Sequence, residues 1–158
     1  MKNLFKTLLI GTLFTLGCAA VAVESPDPVI GTWTLNVAKS KFTPGPAPKS
    51  GTRIYAPSGD GIAMTVSQVA ADGSTSPSQS TYKYDGQDYA ITGVPGVDML
   101  SLKKVNGTTV NATMKLSGKV VGSTVRSISR HGKVLTLTTH AKSPDGKKYS
   151  YVAVYDKQ

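Results

Sequence analysis

The sequence predicts an all-β chain: an up-and-down antiparallel meander of about eight to ten strands that closes into a barrel. Regularly spaced turn glycines, alternation of apolar residues between them, and the lack of helical periodicity beyond the N-terminal segment all point to it. Gly61, Gly73, Gly86, Gly96, Gly107, Gly118, Gly132 and Gly146 recur every ten to fourteen residues. Five of the eight follow Asp60, Asp72, Asp85, Asn106 or Asp145, and such pairs accept the positive φ angles of tight hairpins. A flat sheet of this many strands would expose two long edges, so the last strand is expected to pair with the first. A two-sheet sandwich needs longer crossings than these turns supply.

The elements follow in order. Residues 1–22 carry Lys2 and Lys6 ahead of an apolar run from Leu8 to Leu16, and end in Ala20-Val21-Ala22. This pattern reads as a signal-peptide helix cleaved after Ala22, since the run is too short to span a bilayer. Thr15-Leu16-Gly17-Cys18 resembles a lipobox, with Thr15 where leucine is usual, so lipidation of Cys18 is the alternative processing. Cys18 is the sole cysteine, and cleavage after Ala22 leaves no thiol for a disulfide. Residues 23–28 are expected to form a disordered lead-in, and residues 29–158 one barrel domain. The predicted location is periplasmic or extracellular.

The first strand is expected over residues 29–36. Residues 38–50 contain Pro44, Pro46 and Pro48, which remove ladder donors and block helix, so a loop or polyproline-like crossing is expected there. Beyond it, Ile62, Met64 and Val66 alternate with polar neighbours, as do Leu100 and Leu102, Val110 through Met114 to Leu116, and Leu135 and Leu137. Each set predicts one buried face of a strand. Near the C-terminus Tyr149, Tyr151, Ala153 and Tyr155 share one face, with Val152 and Val154 on the other.

Gly31-Thr32-Trp33 lies on the first strand and carries the only tryptophan, which in a barrel is expected to close one end as a core residue. On this motif and the meander, the chain resembles the calycin barrels, the lipocalins and fatty-acid-binding proteins, which open with G-x-W in the same setting. The resemblance implies that Gly31 allows close chain approach and that Trp33 plugs the barrel. It also implies a basic residue on a late strand covering the indole, for which Arg126 and Arg130, of one parity on a strand over residues 119–130, are the candidates. The strand count favours the fatty-acid-binding type. Two departures separate function from fold: no helix pair can form in the proline-rich stretch, and no arginine stands two residues before Tyr149, Tyr151 or Tyr155. The resemblance supports a barrel and leaves the ligand open.

Other chemistry is sparse. His131 and His140 lack partners at ligand spacing, so no metal is expected. The turn aspartates bond their own backbone, and the sole glutamate is Glu24. No catalytic constellation or cofactor motif stands out, and an enzyme is not expected. The net charge of +9 drops by two with Lys2 and Lys6 and is spread along the chain, consistent with weak attraction to anionic surfaces but no specific nucleic-acid site. An outer-membrane barrel would end on an aromatic residue, whereas this chain ends Asp156-Lys157-Gln158. The leading expectation is a monomeric barrel binding a small hydrophobic ligand. Ala63, Ala112 and Ala153 are expected to leave space inside, and Met64, Leu100, Leu102, Met114 and Tyr151 to contact the ligand. The alternative is a packed barrel acting as an envelope interaction or inhibitor-type protein through residues 42–49 or its basic surface.

Overall fold

The computed structural model describes residues 26–158. The signal peptide, Cys18 and residues 23–25 of the lead-in lie outside these. The chain forms strands β1 (Gly31–Leu35), β2 (Lys41–Thr43), β3 (Ser50–Ser58), β4 (Gly61–Val69), β5 (Ser78–Tyr82) and β6 (Asp85–Thr92). It continues through β7 (Met99–Lys104), β8 (Thr109–Leu116), β9 (Lys119–Ile128), β10 (Val134–Lys142) and β11 (Lys148–Lys157). From β3 to β11 each strand pairs antiparallel with the next, and β1 bridges β3 and β11 to close the sheet. β2 pairs only with β11, further along the strand that also holds β1, so the two fill one of ten positions around the barrel.

β2 corrects the expectation of a continuous loop over residues 38–50. After β1 the chain makes a 3-10 turn at Val37–Lys39, where the Asn36 side chain accepts the Lys39 N–H. Ser40 then donates its hydroxyl to the Asn36 carbonyl at 2.7 Å and accepts the Val154 N–H at 2.9 Å. These bonds return the chain to β11 before the prolines begin.

Six of the eight ladder glycines lie in connections between β3 and β11, while Gly61 opens β4 and Gly86 lies within β6, where the β6–β7 register shifts. Between β3 and β4 the positive-φ residue is Gly59. The predicted apolar faces point inward: Ile62, Met64, Val66, Leu100, Leu102, Val110, Met114, Leu135 and Leu137 are all buried. Ala63 is a correction, because it sits between inward Ile62 and Met64 and alternation turns it outward.

Trp33 closes one end. Its indole is fully buried and donates Nε1–H to the Val29 carbonyl at 2.7 Å. At Gly31, φ is 130° and an added Cβ would meet the Lys157 Cε at 3.0 Å, so the glycine admits the crossing side chain. That lysine is the cation over the indole, with Nζ 5.0 Å from the ring centroid. Neither Arg126 nor Arg130 has this role. β9 ends at Ile128, which leaves Arg130 exposed in the following turn, and Arg126 points into the barrel. The β1–β11 register sets Trp33 opposite Lys157, a neighbour created only by closure.

Residues 26–28, the end of the expected disordered lead-in, pack at this same end. The Asp27 carboxylate accepts the Val29 N–H at 3.0 Å and stands 3.0 Å from Lys104 Nζ. Burial raises its pKa, but the Val29 and Lys104 contacts outweigh burial and hold it below the usual carboxylate value. A depressed folded pKa contributes stability that is present above the unfolded value of about 4 and lost as pH falls through the folded one. Wild type should therefore exceed Asp27→Asn in urea midpoint at pH 7, with the gap closing towards pH 3; a gap independent of pH would contradict this.

Candidate functional site

The interior divides along the barrel axis. Trp33, Val29, Tyr82 and Leu135 fill the closed end, each less than 2% exposed. Above them lies an inner cavity of about 110 Å³. The five residues expected to contact a ligand, Met64, Leu100, Leu102, Met114 and Tyr151, all stand in its wall, brought together from β4, β7, β8 and β11. A second pocket of about 300 Å³ lies towards the other end and shares Arg53, Val66, Ser78, Val94 and Tyr151 with the first. Its rim includes Phe42 of β2, Gln68 of β4, Gly93 and Pro95 of the β6–β7 loop, and Tyr149 of β11. Outside it, Pro44, Pro46 and Pro48 line a vestibule with Phe42, Tyr149 and Tyr151. The proline-rich segment is thus one wall of the mouth.

Two arginines line the barrel interior: Arg53, which the sequence reading did not single out, and Arg126, which it expected over the indole instead. Arg126, 5% exposed, donates from Nη1 to the Tyr82 hydroxyl at 3.0 Å and from Nη2 to the Tyr84 hydroxyl at 2.6 Å. Its guanidinium carbon also lies 5.6 Å from the Tyr55 ring centroid and 5.3 Å from that of Tyr84. Burial opposes its charge, while Tyr82, Tyr55 and Tyr84 favour it and raise the pKa, so it remains a cation. Burial pushes the Tyr82 hydroxyl up as well, keeping it neutral.

Arg53 stands opposite Trp33 in the β1–β3 register, with Tyr55 opposite Gly31. Its Nη1 donates to the Tyr55 hydroxyl at 3.2 Å, and its guanidinium carbon lies 5.5 Å from the Tyr155 ring centroid. Burial works against this charge too, and Tyr55, Tyr155 and Tyr151 outweigh it, raising the pKa. Among the described residues Arg53 has no ion pair. The Nε–H groups of both arginines are buried without a hydrogen-bond acceptor among the described residues, and both side chains line the inner cavity.

Sequence reading missed Arg53 because β3 inverts the usual pattern. Arg53 and Tyr55 face in, while Ile54 between them is 46% exposed. The available signal was indirect: an inward Trp33 dictates the parity of its partner on the next strand.

Ten up-and-down strand positions, closed by the first and last strands and plugged by the tryptophan of G-x-W, decide the architecture. The fold is calycin-like. No family model matches the chain, and no curated protein matches it. Among solved structures, this calycin-like barrel is similar to a zebrafish ileal bile acid-binding protein crystallised with cholic acid. The identity is 12% and the TM-score 0.48, over 83% of this chain and 99% of that one.

Proposed function

We propose that this barrel holds one small, largely apolar molecule in its interior, admitted at the end rimmed by Phe42, Pro95 and Tyr149. The observation that carries the reading is the inner cavity, which adjoins the pocket at the mouth while the opposite end is filled by Trp33 and Val29. Its wall combines apolar side chains with a few polar groups, the usual composition of a small-ligand site. The signal-like residues 1–22 support placing this activity in the periplasm or outside the cell, with the barrel acting as a monomeric carrier.

A neutral solvatochromic dye such as Nile red provides the test. Wild type should bind it saturably, with about one dye per chain. Val94 borders both volumes from the β6–β7 loop, so Val94→Trp should weaken binding at least about tenfold by filling the passage, with little change in melting temperature. Absence of saturable binding to wild type, or equal binding by a folded Val94→Trp, would overturn the proposal. Native mass spectrometry of gently purified protein supplies a second readout, a single co-purified small molecule.

A further inference from the structure

Resting on the interior binding site proposed above, its ligand class can be narrowed by charge, shape and size. The charge criterion comes from Arg126, which is buried, and Arg53, which is half-buried with its Nε–H shielded from solvent. A buried cation is ordinarily paired, and a buried N–H without an acceptor carries its full desolvation cost. Both arginines line one cavity, both leave Nε–H without a protein acceptor, and Arg53 forms no ion pair among the described residues. Their guanidinium contacts are tyrosine hydroxyls and rings and, for Arg53, the Met64 sulfur at 3.5 Å, none of which is an anion while the tyrosines are neutral; Asp27, whose charge acts on Arg126, is itself paired with Lys104. An anionic ligand group would provide the missing acceptor in a low-dielectric site, where a charge-assisted bond is strong.

Shape is set nearer the mouth. Phe42 and Tyr151 stack with centroids 5.6 Å apart at 29°, and Tyr149 and Tyr151 lie 6.4 Å apart at 12°. All three rings border the same pocket as Arg53. A planar aromatic ligand can stack against such faces in offset or edge-on geometry.

Size follows from the inner cavity of about 110 Å³, equivalent to the share of liquid volume occupied by roughly three or four waters. It has room for an acid group and a few carbons. The ligand body must then lie in the upper pocket, which favours a compact ring over a long acyl chain.

We infer that the site takes a compact aromatic acid, its anionic group directed to Arg53 and Arg126 and its ring lying among Phe42, Tyr149 and Tyr151. Calorimetric titration at pH 7 with 2-naphthoate, neutral 2-naphthalenemethanol and hexadecanoate tests all three criteria. Wild type should bind naphthoate roughly ten- to a hundredfold more tightly than the alcohol, and hexadecanoate more weakly than naphthoate. Arg53→Met should cut the preference for the acid at least about tenfold, with Arg126 supplying the remainder, and Arg53→Lys should restore part of the loss. Circular dichroism and thermal melts verify folding of each variant, and an Arg53→Gln variant serves if the methionine form does not fold. Equal wild-type affinity for acid and alcohol, an acid preference undiminished in a folded Arg53→Met variant, or tighter binding of hexadecanoate would overturn the inference. If Nile red binds but naphthoate does not, the aromatic-acid assignment falls and interior binding stands; if neither binds, both fall.

Discussion

Trp33→Ala should lower the free energy of unfolding by about 3–5 kcal/mol, the range for removing a fully buried large aromatic side chain. The indole combines three roles at the closed end. It packs without solvent exposure, bonds the Val29 carbonyl at 2.7 Å, and provides the face over which Lys157 sits. Truncation would leave a cavity at the closed end. Trp33→Phe separates these contributions: it retains most apolar contact but strands the Val29 carbonyl, giving a smaller loss of about 1–2 kcal/mol. Urea unfolding followed by far-ultraviolet circular dichroism measures both. A loss below about 1 kcal/mol for the alanine variant would show that this end is not a packed plug.

Gly93→Ala should destabilise the barrel by at least about 2 kcal/mol and impair the mouth as well. Gly93 has φ of 76°, and an added Cβ would overlap the Pro77 carbonyl oxygen and press on the Ser78 Cα. Relief requires the β6–β7 loop to move away from the β4–β5 loop, carrying Val94 with it. Gly118→Ala is the matched control, since Gly118 has the same φ of 76° but open space around its hydrogen atoms. Its loss should be about 1–2 kcal/mol, from backbone conformation alone. A larger loss for Gly93→Ala, with weaker Nile red binding only in that variant, is expected. Equal losses in the two variants would show that the contact with Pro77 does not constrain the loop.

Most of the architecture was legible because its causes are local. Asp or Asn before glycine specifies a turn, and alternation such as Val110, Ala112 and Met114 specifies a buried strand face. The same alternation placed Met64, Leu100, Leu102, Met114 and Tyr151 on inward faces. What escaped reading depends on partners distant in sequence. Arg53 looks like a surface residue beside apolar Ile54 until the β1–β3 register turns it inward opposite Trp33. Lys157 looks like a polar tail residue until β11 meets β1. β2 was concealed by its length of three residues and the prolines after it, and is held by Ser40 bonding to a strand at the other end of the chain.

Joining β1 to β11 also has a kinetic consequence. Asn36 and Asp156, whose side chains bond at 2.7 Å, are 120 positions apart, so the seam forms only after a large loss of chain entropy. Such non-local pairing places folding in the slow range, milliseconds to seconds, compared with helical proteins of similar size. Until β11 docks, the edge of β1 stays unpaired and can pair with neighbouring chains. β11 is therefore the latch of the barrel, since its pairing with β1 removes the last exposed strand edges.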